Sequence, residues 1–240
     1  MTYDWLAGLV FFALLVVLTV AGRFLVFKIP AMQRMRELNR EADAQKLSRK
    51  SFKDAVKASN KAGLITNLVV YVTVLPFFID LTPRPLWRHA VDLIAVLLIF
   101  DFFYYSAHRF LLHGNILRKV HALHHQARTP TYIDALYVHP LETTIGILLF
   151  LGSIPLVATI SGGPLSAITM AVATLIFTQV NTINHTYVNL PHFPFKTIDW
   201  MTSIHAAHHV DMNAGNYASL TMLYDWALGT LEKPVSRETA

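Results

Sequence analysis

The sequence predicts an all-α integral membrane protein, a helical bundle of about five apolar spans with a cytoplasmic helical cap that contains clustered histidines. Of the 240 residues, 54% are hydrophobic and only 15% are charged, whereas a water-soluble domain has about 25% charged residues. Several apolar stretches have the length needed to cross a bilayer core of about 30 Å. The chain has twelve histidines and no cysteine, so any metal site is limited to nitrogen and oxygen ligands.

The apolar stretches follow one another as a single span and two hairpins. The first has Arg23 as its only charge and lacks a basic leading region and a small-residue cleavage site, so we expect a span rather than a cleaved signal peptide. Residues 82–90 join the second and third stretches, and the short turn 161–164 joins the last two. The predicted spans are Trp5–Phe27, Leu64–Leu81, Val91–Ala107, Thr143–Ile160 and Leu165–Thr182.

The segment between the first two spans sets the expected orientation. Residues 28–62 contain ten of the twenty Lys and Arg residues, and basic loops mark the cytoplasmic side of a membrane protein. The two hairpins then bring every histidine cluster to the cytoplasmic face and leave His89 on the other side. We expect the charged run Arg34–Lys61 to be a solvated helix on the membrane surface. The net charge of +5 is thus an orientation signal, and no nucleic-acid partner is expected.

Three histidine blocks have spacings that suit metal ligands. His108 and His113 are five residues apart, about 140° on an ideal helix, so they can share a metal only if the helix end is distorted. In the other two blocks, offsets of three and four residues place the rings on one helical face. These two blocks are His121-x2-His124-His125 and His205-x2-His208-His209.

Further residues are candidates for the same site. His185 follows the fifth span and is a candidate ligand, while Asn189, one turn later, is a candidate for weak or water-mediated binding. His139 opens the fourth span and is either a ligand or a residue that contacts a ligand. His192 lies in a proline-flanked loop and is expected to be an ordinary interfacial histidine.

Acidic residues near the blocks are candidates to accept the free ring N–H of a metal-bound histidine. Asp101 is the strongest of these, because it precedes His108 by seven residues and lies inside an apolar span, where a charged group is costly unless it has a function. The others are interpreted as ordinary interfacial carboxylates: Asp134, Glu142, Asp211 and Asp225.

The number of histidines favours two metal ions over one. A tetrahedral zinc takes three or four ligands, whereas at least eight histidines suit two ions with three to five ligands each. Two iron ions (Fe) can share the electrons needed to reduce O2 and attack an unactivated C–H bond. A site at the membrane boundary admits a lipid substrate from the bilayer. Because the sequence has no Gly-x-Gly-x-x-Gly motif, haem peptide or second redox domain, we expect an external electron-donor protein.

The ordered blocks resemble the fatty acid hydroxylase / sterol desaturase superfamily of membrane di-iron enzymes. The resemblance extends from about Asp101 to Thr230 and includes His139-Pro-Leu-Glu142. It also includes three short runs that look like the end of the family's sequence, namely Asn216-Tyr217-Ala218, Asp225-Trp226 and Gly229-Thr230. It implies O2-dependent hydroxylation or desaturation of a lipid such as a sterol or fatty acyl chain. It also implies that the boxed histidines bind the metals.

The chain departs from the superfamily at one position. Many relatives have a His-x3-His pair before the last box, where this chain has His185 and Asn189. Either Asn189 leaves one metal with a looser ligand set, or His139 or His192 completes that set.

The expected domain organisation has three parts. Residues 1–94 are the N-terminal spans with the basic segment, 95–232 are the hydroxylase-like domain, and 233–240 are a tail. A metal-transporting or metal-sensing membrane protein is the alternative from another class, and a zinc hydrolase is a third. A transporter is expected to place ionisable ligands halfway along several spans, and the predicted spans contain almost none.

Overall fold

The computed structural model describes residues 1–190 and 192–234, and within them the chain is a bundle of α-helices with one short strand pair. The predicted tail falls mostly on residues 235–240, which lie outside the described part. The helices are α1 (Trp5–Val26), α2 (Pro30–Ser48), α3 (Lys50–Thr73), α4 (Leu86–Ala107), α5 (Arg118–His121), α6 (Pro140–Ile160), α7 (Ala167–Asn184), α8 (Phe195–Val210) and α9 (Leu223–Ala227).

Five helices are long and apolar enough to cross a membrane, which confirms the predicted number of spans. They are α1, α3 with the 3₁₀ turn Leu75–Phe77, α4 with the turn that follows it, α6 and α7. Many of their large apolar side chains are exposed, for example Val20 and Ile168. Such exposure suits helices that face lipid, because an apolar side chain that is exposed to lipid, unlike one exposed to water, costs no free energy. The chain is therefore a multi-pass membrane protein.

The predicted bounds are wrong for the second span and for the basic segment. α3 begins at Lys50, fourteen residues before the predicted Leu64, because hydropathy detects only the apolar half of a helix. The run Arg34–Lys61 is not one helix. Arg49 adopts an extended conformation between α2 and α3, so the basic residues that follow it begin a membrane-spanning helix.

Local start signals explain the other differences in helix bounds. α4 begins directly after Pro85, and α6 has Pro140 in its first turn, where the missing proline N–H is not needed. α7 begins after Ser166, whose hydroxyl accepts the backbone N–H of Thr169. These starts shift the predicted spans by two to five residues.

The membrane core is built on a ring of neighbouring helices. α3 packs on α6, α6 on α4, α4 on α7, and α7 on α1. At the centre, the rings of Phe150 and Phe177 stack 4.3 Å apart, and the edge of Phe100 packs against both. At one end of the bundle, strands β1 (Ile79–Asp80) and β2 (Leu165–Ser166) pair in parallel.

The other end of the bundle is covered by a cap that includes α5, α8 and the 3₁₀ turn Tyr132–Leu136. Helix α2 is attached to this cap rather than free in solvent. The buried side chain of Asn39 accepts the backbone N–H groups of Tyr132 and Tyr187, and Lys46 forms an ion pair with Asp134. The inner face of α2 is therefore held by buried polar contacts, while most of its charged side chains are exposed, as expected for a solvated surface.

Candidate metal centre

Nine buried or nearly buried histidines meet in the cap as two groups. Within each group, one ring nitrogen from every histidine lies within 4.8 Å of the others. The five-histidine group is His108, His113, His121, His125 and His208, and the four-histidine group is His124, His185, His205 and His209. The three sequence blocks are thus brought together with His185, although they are up to about a hundred residues apart.

A π-helical turn at the end of α4 brings His108 and His113 into the same group. This turn spans His108–Leu112, and the backbone N–H of His113 donates to the carbonyl of His108 at 2.9 Å. A π turn joins residues five apart, so it places two side chains together that an α-helix would separate. The predicted distortion of this helix end is confirmed.

The second and third blocks divide their histidines between the two groups. His121 and His125 belong to the five-histidine group and His124 to the other. In the third block the assignment is reversed, because His208 belongs to the five-histidine group and both His205 and His209 belong to the four-histidine group. The prediction that each block acts on one face is wrong, because adjacent residues on a helix diverge by about 100°. The second block is also not a continuous helix, since α5 ends at His121 and a 3₁₀ turn begins at His124.

Backbone carbonyls fix the protonation of several rings. The Nδ1 atoms of His108, His113 and His208 each donate to a carbonyl within the segment 212–217, at 2.7 Å. A carbonyl oxygen only accepts, so Nδ1 has the proton and Nε2 presents a lone pair. Burial lowers the pKa of His113 to about 4 and that of His208 well below its ordinary value. These imidazoles are therefore neutral near pH 7.

The facing Nε2 atoms are too close for uncharged lone pairs without a cation. In the five-histidine group, the Nε2 of His208 lies 3.1 Å from that of His108 and 3.2 Å from that of His113. In the other group, the Nε2 atoms of His124 and His185 are 3.0 Å apart, and both rings also contact a carbonyl through Nδ1. No hydrogen lies between such pairs, so both groups fit a bound metal ion.

A carboxylate contacts one member of the five-histidine group, and it is not Asp101, which the sequence favoured. Glu142 lies in the first turn of α6, and its Oε1 accepts the Nδ1–H of His121 at 2.7 Å. This contact orients the ring and raises its basicity toward a metal. Burial lowers the pKa of His121 to about 3, which keeps the ring neutral in the absence of metal. The interpretation of Glu142 as an ordinary interfacial carboxylate is wrong.

Asp101 acts on backbone rather than on a histidine. Its two oxygens accept the N–H groups of Ser219, Leu220 and Thr221, and also the Thr221 hydroxyl, at 2.6–3.2 Å. The predicted contact between Asp101 and a ring N–H is therefore wrong. The apolar residues around Asp101 in the sequence do not indicate which donors its carboxylate contacts.

The segment that Asp101 holds is the one that orients three histidines. Asp225 accepts the N–H groups of Tyr217 and Ala218 and the hydroxyl of Thr230. We call residues 211–232 the closing segment. Its carbonyls contact the five-histidine group, and two buried aspartates fix its backbone. None of the three carbonyl contacts was predictable, because the segment is irregular around its short helix α9.

The remaining predicted candidates lie outside both groups. The Nδ1 of His139 accepts the backbone N–H of Leu141 at 3.2 Å and caps α6. Asn189 is exposed, has a positive φ of 42°, and donates its N–H to Asp199. His192 is exposed. His89 lies at the opposite end of α4, where its Nδ1 contacts the Thr169 hydroxyl at 2.5 Å.

A cavity of about 320 Å³ adjoins the four-histidine group. This volume is at the small end of the range for ligand pockets, about 300–1,000 Å³. His124 and His185 form part of its wall, whereas the lining includes none of the five-histidine group among the described residues. The wall continues along α3, α6 and α7 to the ring pair Phe150 and Phe177. The cavity thus joins one histidine group to the interior of the membrane bundle.

Comparison with known proteins agrees with this site. The fatty acid hydroxylase family matches residues 93–230, which is more than half of the chain and includes all nine histidines. The chain belongs to the fatty acid hydroxylase family. This confirms the resemblance to the fatty acid hydroxylase / sterol desaturase superfamily.

Several known proteins are similar to the chain over part of their length. Protein CER1-like 2 of Arabidopsis thaliana is 29% identical over 180 residues, which cover 71% of this chain and 29% of that protein. Methylsterol monooxygenase 2-2 of Arabidopsis thaliana is 28% identical, covering 62% of this chain and 55% of that protein. Methylsterol monooxygenase 1 of Rattus norvegicus is 32% identical, covering 54% and 43%. The chain thus spans about half or less of the length of these relatives. No solved structure matches it.

Proposed function

We propose that the chain is a di-iron oxidoreductase that uses O2 to hydroxylate or desaturate a lipid. The observation that supports this most directly is the convergence of nine imidazoles in the cap into groups of five and four. Nitrogen ligands suit iron among other metals. The family match and the similar methylsterol monooxygenases favour lipid oxidation.

In this proposal, separate sets of residues bind the metals, orient the ligands and hold the substrate. The nine grouped histidines hold the two metals, while His139 and Asn189 lie outside that set. When bound, iron supplies the electrons and the oxidising power for O2-dependent C–H cleavage. Glu142 and the closing segment keep the imidazoles turned toward the metals. The wall of the cavity excludes water and holds the substrate beside the four-histidine group.

The setting of the site supports the other parts of the proposal. We propose that residues 95–232 form the catalytic domain, that its cap faces the cytoplasm, and that a separate protein delivers electrons there. The basic residues near α2 and the start of α3 favour this orientation. The grouped histidines lie at the cap end of the spans rather than halfway along them, which favours an enzyme over a metal transporter.

The test combines metal analysis with oxygen labelling. Protein purified from iron-supplied cells is expected to hold two irons per chain and, with a chemical reductant, to incorporate ¹⁸O into a lipid extract or to desaturate it. His124→Ala and His208→Ala each remove one member of a different group, so each is expected to abolish activity and lower the iron content. His192→Ala is the control, because this histidine is exposed and outside both groups.

Two results would count against the proposal. If the wild-type protein holds iron but neither incorporates ¹⁸O nor desaturates any lipid, the oxidative function is wrong. If His124→Ala and His208→Ala both retain full activity and two irons, the histidine groups are not the metal sites.

A further inference from the structure

The cavity has two chemically different ends. At the cap end its wall contains His124, Glu142 and His185, and at the other end it contains the stacked rings of Phe150 and Phe177. Glu142 and Phe150 are eight residues apart on α6, so the two ends are separated by about 12 Å. The inner end is closed by aromatic rings, where a polar group of a substrate would lose its hydration without gaining a partner.

Along the α3 and α7 sides of the cavity wall, polar side chains donate hydrogen bonds to carbonyls of their own helices. The hydroxyls of Thr174 and Thr178 donate to carbonyls one turn earlier on α7, and the amide of Asn67 donates to the carbonyl of Gly63 on α3. These donors are therefore already used within the helices. The inner half of the wall is suited to hydrocarbon.

The cap end offers polar groups that are available to a ligand. Asn60 and Asn181 line the cavity close to this end, Asn181 being one turn before His185. Within the described part of the chain, neither side-chain amide forms a hydrogen bond. On α3, Asn60 is followed one turn later by Leu64, which also lines the cavity and is 60% exposed. Exposed Thr178 lines the α7 side, so the cavity opens sideways between α3 and α7, toward lipid.

We propose that the cavity binds a lipid tail-first from the bilayer, with its apolar tail against Phe150 and Phe177 and its polar end beside Asn60 and Asn181. This assignment rests on the proposed function of the histidine groups. It deepens that function because the four-histidine group adjoins the cap end. The carbon that is oxidised then lies close to the polar end of the lipid, and about 12 Å of tail lies beyond it.

Photolabelling of the full-length protein in nanodiscs tests the orientation without any need for turnover. The probes are hexadecanoic acid with a diazirine at the methyl end, the same acid with the diazirine next to the carboxylate, and a sterol with the diazirine in its side chain. We expect the tail-end probe of the preferred lipid class to label Phe150 or Phe177. We expect the head-end acid probe to label Asn60 or Asn181, and labelled residues are identified by peptide mass spectrometry.

Two glycines on α6 supply a matched pair of variants. Gly146 lines the cavity midway between Glu142 and Phe150, and a Cβ there would meet only Tyr104, at 3.8 Å. Gly146→Leu is expected to fill the passage and to reduce tail-end labelling at the inner rings at least tenfold. Gly152 is exposed and has open space around it, so Gly152→Leu is expected to label as the wild type does.

The outcomes separate this inference from the proposed function. The inference is overturned if tail-end probes label Asn60 or Asn181 while the head-end probe labels the rings, or if no probe labels the cavity. It is also overturned if Gly146→Leu keeps the wild-type iron content and the wild-type labelling. A protein that shows the expected labelling but oxidises no lipid would contradict the proposed function and leave the orientation supported.

Discussion

Replacement of Asp101 by Asn tests whether the closing segment controls the five-histidine group. The carboxylate accepts four hydrogen bonds from Ser219, Leu220 and Thr221, and the side chain is fully buried. The variant keeps one acceptor oxygen but turns an NH₂ group toward the other two donors. The Thr221 hydroxyl can rotate and accept, whereas the Thr221 N–H loses its acceptor.

The size of the effect follows from these bonds. An unsatisfied buried donor costs about 1–3 kcal/mol, and a bond to a neutral acceptor is weaker than one to a charged acceptor by about 1 kcal/mol. We therefore expect the variant to weaken the closing segment by about 2–4 kcal/mol. Because this segment orients His108, His113 and His208, iron affinity is expected to fall about 10- to 100-fold at that group alone.

The assay is an anaerobic titration of metal-free protein with ferrous iron, followed by measurement of iron per chain after desalting. We expect the stoichiometry to fall from two to one. Asp92→Asn is the matched control, because Asp92 is another buried aspartate on α4 and pairs with Arg88 at 3.0 Å, at the opposite end of α4 from the two histidine groups. The control is expected to unfold at lower temperature but to bind two irons. Two tightly bound irons in Asp101→Asn, or one in Asp92→Asn, would refute the reasoning.

Three further predictions concern the same centre. Glu142→Gln keeps an acceptor for the ring N–H of His121 but removes its charge, so iron titration should show about tenfold weaker binding at one site; an unchanged affinity would mean that the contact is incidental. His139→Ala loses the bond to the Leu141 N–H and should lower stability by about 1 kcal/mol, while Asn189→Ala should have little effect. Both should bind two irons, and loss of either iron would place the altered residue among the ligands. Removal of iron by a chelator should lower the thermal unfolding midpoint, because the converging lone pairs are then uncompensated, and ferrous iron should restore it; equal midpoints would argue against a folded-state metal.

The membrane architecture was predictable because span number depends on composition. Each span is a long apolar run, and hydropathy identifies it whatever its neighbours are. Helix starts are a different property, because the first half of α3, from Lys50 onward, has good helix formers but no continuous apolar run. The start of α6 at Pro140 was available from the sequence as a first-turn proline.

The identity of the grouped histidines was predictable, but their partition was not. Spacing indicates which rings share a face of one helix, whereas the groups form between different elements. His124 and His125 are neighbours in sequence and belong to different groups. Glu142 could have been favoured over Asp101 on one ground, namely that it lies in the first turn of a helix at the membrane boundary. Contacts made by backbone carbonyls, such as that of Tyr217 with His108, leave no trace in side-chain patterns.

The two repeated blocks are related by an exchange of roles. In each, the first and third histidines, four residues apart, belong to one group and the second belongs to the other, but the groups are swapped between His121-x2-His124-His125 and His205-x2-His208-His209. The π turn adds His108 and His113 to the five-histidine group. Only His185 is added to the four-histidine group, because Asn189 is exposed. The four-histidine group therefore has one histidine fewer, and this group lies beside the cavity. Catalytic metal sites keep a coordination position open for water or substrate, so under the proposed function the smaller set of histidines is expected at the group beside the cavity.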